Sequence, residues 1–187
     1  MKLALILVAG LALAAQSTNP VVGVRWPGSK IAWAFWLACM RADKAGEKLA
    51  AELVGLPVES LSLIGHSLGC RVVLQALSRG LECRTAVLAA AAVDDESLEY
   101  GERFGMAPAM AERILVAFSR RDGVLAKAYR FARIDKALGR VGPQRPWKLP
   151  MSVGLADLSL EIGGHSDYVN SKAFFAAWRN AERREVA

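Results

Sequence analysis

Histidine is scarce in this chain of 187 residues, which holds only His66 and His165. Any chemistry that needs an imidazole base must draw on one of these two. Cysteine is nearly as scarce, with Cys39, Cys70 and Cys83. An odd count without regular spacing argues against a disulfide framework and against a zinc site. Cys70 reads as a small buried residue rather than a nucleophile. No phosphate loop, dinucleotide fingerprint or cluster of metal-ligand residues occurs, so neither a cofactor nor a metal is implied. Nucleic acid is disfavoured as a partner because no recognised motif supports it. There is no internal repeat, no low-complexity segment and no linker, so residues 1–187 read as one domain.

What is present is an alternation. Apolar, strand-like runs at about 3–9, 21–26, 61–64, 85–93, 113–119 and 156–162 are separated by helical patterns. Those patterns fall at about 30–54, 70–80, 123–139 and 170–184. Hydrophobic residues make up 53% of the chain, as expected for a mostly parallel sheet covered on both faces. The pattern predicts an α/β fold of the doubly wound type.

The first residues support two readings. Met1-Lys2, the apolar run Leu3 to Ala15 and its small residues resemble a signal peptide, which would mean export. The run is too short for a spanning helix. The preferred reading is a buried first strand, with a cytoplasmic protein as its consequence.

The net charge is +6, and much of the basic excess falls between Arg113 and Lys148. Lys127, Arg130, Arg133 and Lys136 lie along one predicted helix. A solvated face explains them; a weak contact with an anionic membrane surface or an anionic substrate is the sharper alternative. The aromatic stretch Arg25-Trp26-Pro27-Gly28 to Trp36 reads mainly as packing, with part of it available to wall an acyl pocket.

The most specific signal is Gly65-His66-Ser67-Leu68-Gly69. It follows the apolar run Leu61-Ser62-Leu63-Ile64 and precedes the helix-like Cys70 to Leu77. Strand, G-x-S-x-G turn and helix form a nucleophile elbow, which lifts one serine hydroxyl out of the backbone. Small flanking residues allow the sharp bend and the close approach of helix to strand. A serine hydroxyl attacks poorly until a base takes its proton, and that base is usually a histidine oriented by a carboxylate. His66 neighbours Ser67, so its side chain must point away from the hydroxyl. His165, in Gly163-Gly164-His165-Ser166-Asp167, is left as the base, unless it only caps the last helix. The chain order Ser, acid, His makes Asp122 the first choice of acid. Asp94, Asp95 and Asp167 are its rivals, and Asp122 could instead serve only as a helix cap.

With these pieces the chain resembles small bacterial members of the α/β-hydrolase superfamily. The resemblance rests on Leu63 to Gly69, on Ser119-Arg120-Arg121-Asp122, on Gly164-His165-Ser166-Asp167 and on Val22 to Gly28. It implies an α/β-hydrolase fold in which the strand before the oxyanion loop pairs with the elbow strand and the next strand lies outside it. It also implies a serine hydrolase acting on a small or medium acyl substrate, an ester or thioester, through Ser67, His165 and Asp122. The oxyanion donors would be the N–H of Leu68 and one near Gly10 or Leu11. The loop Val8-Ala9-Gly10-Leu11 lacks the histidine often found there, which keeps a non-catalytic binding or interaction protein as the alternative. The short stretch Asp94 to Met110 leaves room for a minimal cap only.

Overall fold

Strands rich in Leu, Ile, Val and Ala build the centre of the molecule, and helices cover them on both sides. The computed structural model describes residues 3–7, 21–23, 35–55, 61–132 and 136–183. Its strands are β1 (Leu3–Leu7), β2 (Val21–Gly23), β3 (Leu61–His66), β4 (Cys83–Ala89), β5 (Ala111–Phe118) and β6 (Val153–Asp157). Its helices are α1 (Phe35–Leu53), α2 (Leu68–Ser78), α3 (Gly123–Ala132), the single turn α4 (Leu138–Val141) and α5 (Lys172–Arg183). The strands form one sheet in the order β2-β1-β3-β4-β5-β6, and every described pairing is parallel.

Successive residues of a strand point to opposite faces, so each central strand feeds two cores. Leu63, Leu88 and Val116 join one cluster with Val72, Val73 and Leu77 of α2 and Leu49 of α1. Ile64, Val87 and Leu115 join the other with Leu125 and Tyr129 of α3 and Phe174, Phe175 and Trp178 of α5. Burying each of the larger of these side chains contributes about 1.5–3 kcal/mol. α5 begins where Ser171 Oγ accepts the N–H of Phe174 at 3.1 Å, an N-cap at the start of an amphipathic helix.

The strand order puts β1 beside β3 and β2 outside β1. Leu3–Leu7 thus pairs as a strand, with Leu5 opposite Leu63. Residues 8–20 lie outside the described part. No helix among the described residues is long and apolar enough to cross a membrane.

Three expected elements are corrected. The strand expected at 156–162 lies earlier, at Val153–Asp157. Asp157 stops it by accepting the N–H of Ser159 at 3.0 Å, an Asx-type turn. The following alternation is a turn in which Ile162 N–H donates to Leu158 O at 2.8 Å. The strand expected at 85–93 is Cys83–Ala89, and Ala90 leaves it with φ 48°. The helix expected over 123–139 ends at Ala132, and Ala137 is extended and bridges to Asp94. Tertiary pairing at Asp94 overrides the helical pattern there.

Candidate active site

The carboxyl ends of β3, β4 and β5 lie along one edge of the sheet because the strands are parallel. The strand order reverses direction around β1 and β3, and such a switch point leaves a crevice outside the carboxyl ends. Ser67 stands at that edge, between the last residue of β3 and the first of α2.

Its backbone has φ 55° and ψ −123°, a sparsely populated conformation for a residue with a side chain. Such a conformation costs about 1–3 kcal/mol and persists only where its surroundings impose it. Here Ser67 N–H donates to Ala89 O at 3.0 Å, and Ser67 O accepts from Cys70 N at 3.1 Å and from Ala92 N at 3.2 Å. Gly65 makes the bend feasible: a Cβ there would sit 2.6 Å from both Cα and N of Cys70. Leu68 opens α2, and the first N–H groups of a helix have no intrahelical acceptor.

Asp122 follows β5 and is fully buried. Its Oδ1 accepts from Val124 N at 3.0 Å and Leu125 N at 2.9 Å, capping α3. Its Oδ2 accepts the Nδ1–H of His165 at 2.7 Å. Capping and holding the imidazole, offered as alternatives by the sequence, are therefore both carried by one carboxylate. A buried charge needs such partners, and the positive end of α3 favours the anion.

Two of the rival residues engage the segment before α4 through their backbones. Asp94 bridges to Ala137, and Asp95 N–H donates to Lys136 O at 2.9 Å. Asp167 Oδ2 accepts Gly164 N–H at 2.7 Å, shaping the loop that carries His165. His165 does not cap α5, a task that falls to Ser171. Gly10 and Leu11, the expected second oxyanion donors, lie outside the described residues.

No protein-family model and no curated protein matches the chain.

The sequence reading set His66 aside, and the structure gives it a partner. Its Nε2–H donates to the backbone carbonyl of His165 at 2.7 Å. Their rings lie 4.8 Å apart, and the His66 ring also meets Tyr168 edge-on at 5.9 Å. Burial pushes the His66 imidazole below its ordinary value, against the opposing pull of the His165 carbonyl. Ser119 was also missed as a contributor in its own right. Its buried hydroxyl donates to Ile162 O at 2.6 Å, tying the end of β5 to the His165 loop. No local signal marks either contact, since the partners are 99 and 43 residues apart.

The cysteines take no part. All three are buried and free. Burial raises the thiol of Cys70, whose Sγ–H donates to Ala89 O at 3.3 Å, and pushes Cys83 up to about 12. Among the described residues no group of three or more His, Cys, Asp or Glu side chains is arranged to hold a metal. A cavity of about 610 Å³ opens at the opposite edge, around Leu61, Cys83 and Ala111 where β3, β4 and β5 begin, away from Ser67.

Proposed function

We propose that the chain is a serine hydrolase of the α/β-hydrolase type, cleaving a carboxylic ester or thioester. The observation that carries this reading is the hydrogen bond from His165 Nδ1–H to the buried Asp122 carboxylate at 2.7 Å, at the sheet edge that bears Ser67. An imidazole held at Nδ1 presents Nε2 as its free basic nitrogen. The strand order supports the fold part of the reading: β1 pairs with the elbow strand and β2 lies outside it, as the resemblance implies.

In this reading Ser67 Oγ attacks the acyl carbon while His165 Nε2 takes its proton. The Leu68 N–H receives the developing oxyanion. The tetrahedral intermediate collapses, the leaving alcohol or thiol takes the proton from His165, and the acyl group stays on Ser67. Water then attacks, with His165 again as base, and the carboxylic acid departs. Asp122 keeps the imidazole in the Nδ1–H tautomer and stabilises the transient imidazolium.

Intact mass after incubation with a fluorophosphonate tests the reading. One adduct on the wild type and none on Ser67→Ala is the expected result. A folded wild type without adduct would overturn it in favour of a non-catalytic binding or interaction protein.

A further inference from the structure

Three of the hydrogen bonds on the loop that carries His165 bear on its position besides that to Asp122. Ser119 Oγ donates to Ile162 O at 2.6 Å, and Asp167 Oδ2 accepts Gly164 N–H at 2.7 Å. The third is His66 Nε2–H on His165 O at 2.7 Å. The first two fasten the residues leading up to the base. The third grips the base's own peptide, and it comes from the residue directly before Ser67.

We propose that His66 is a positioning residue that couples the nucleophile elbow to the general base, its Nε2–H bond to the His165 carbonyl fixing the plane of that peptide and hence the aim of the imidazole at Ser67. The proposal rests on the serine-hydrolase reading. Four observations carry it. The donor and the nucleophile are adjacent in one strained turn, so a shift of the elbow moves both together. The His66 ring is buried and flanked by the rings of His165 and Tyr168, which removes the freedom to swing away. The acceptor belongs to the backbone of the base, not to a neighbour. A planar ring holding its donor at Nε2 reaches across the gap, which the shorter amide of asparagine would not.

Catalysis depends on such aim, because a misplacement of about 1 Å at a reacting group costs about 100-fold in rate. His66→Gln and His66→Met separate the bond from the bulk: the side chains are alike in length, and only Gln carries an N–H donor. Two readouts are taken on each variant and on the wild type. One is the second-order rate of fluorophosphonate labelling of Ser67. The other is the downfield Nδ1–H proton of His165 by NMR, which persists only while the imidazole is held against Asp122. The expected result is labelling about 10- to 100-fold slower in His66→Met with loss of that resonance. His66→Gln should retain both near the wild type.

Equal labelling of His66→Met and the wild type, or His66→Gln as slow as His66→Met, would overturn the proposal. If the wild type takes no label, the serine-hydrolase reading fails and the resonance decides on His66. Loss in His66→Met with retention in His66→Gln then supports the clamp, and retention in both refutes it. Should His66→Met not fold, His66→Asn replaces it, with a donor too short to reach and the same expected loss.

Discussion

Asp122 meets His165 with one carboxylate oxygen and caps α3 with the other. Oδ2 lies 2.7 Å from His165 Nδ1, while Oδ1 accepts from Val124 N and Leu125 N. The carboxylate is thereby oriented by a helix before it orients an imidazole. The helix start, anchored in the core through Leu125, sets the direction of Oδ2.

This division predicts that two substitutions at Asp122 will differ. Asp122→Asn keeps an oxygen for the cap but loses the anion, and it favours the wrong imidazole tautomer. Labelling of Ser67 should fall by about 100-fold or more, with a melting temperature close to the wild type. Asp122→Ala should lose the labelling and also the cap, at a cost of about 0.5–2 kcal/mol. Equal melting temperatures for the two variants would contradict the capping role.

Gly65→Ala should damage the elbow without touching its chemistry. The added Cβ would meet backbone atoms of Cys70 at 2.6 Å, which cannot rotate aside. Overpacking of this kind costs about 1–3 kcal/mol. For a chain of this size that corresponds to a fall in melting temperature of about 3–10 °C. An unchanged melt would show that β3 and α2 are not in such close contact.

The thiols should be silent in the native protein. Cys39, Cys70 and Cys83 are buried, and burial raises each thiol above its ordinary value. Iodoacetamide at mildly alkaline pH should leave the folded chain unmodified and alkylate all three cysteines in denaturant. Pretreatment with the alkylator should not slow fluorophosphonate labelling. Native alkylation at Cys70, accompanied by loss of labelling, would transfer suspicion from Ser67 to the thiol.

His66 should make stability depend on pH below neutrality. The groups that face it are the His165 imidazole and carbonyl, the Asp122 carboxylate and the Tyr168 ring. Its folded value is lowered by burial, so the unfolded chain binds a proton more readily than the folded one. The sign follows: stability is fully retained above the unfolded value of about 6.5 and is lost as pH falls below it towards the folded value. The wild type should therefore lose more melting temperature between pH 7.5 and 5 than His66→Gln does. Parallel profiles for the two proteins would place the titration elsewhere.

How far the sequence could be read differs from element to element, for physical reasons. β3, the turn at Ser67 and α2 were legible because strand, small residues and helix follow one another within about twenty positions. β6 was misplaced, since Leu158, Leu160 and Ile162 alternate with the polar Ser159 and Glu161 while forming a turn closed by Asp157. The period of two fails in the folded chain, where Leu158 and Ile162 are buried and Leu160 is exposed, as a turn rather than a strand places them. The break between α3 and α4 was invisible for a different reason. Ala137 favours a helix locally, but its backbone is engaged in a bridge to Asp94, 43 residues earlier.

Composition and local order alone determined the groups on offer: one serine in a G-x-S-x-G pentapeptide, a second histidine remote from it in sequence, and several aspartates after the serine. Those facts are covalent and need no folded chain. Which carboxylate reaches His165, and that His66 donates to the His165 carbonyl, were decided by tertiary structure. Both depend on parallel strands bringing their carboxyl ends to one edge, so that residues 43 and 99 positions apart come within 2.7 Å. Hydrogen bonds select by direction and distance, and neither exists in the sequence until the sheet has formed.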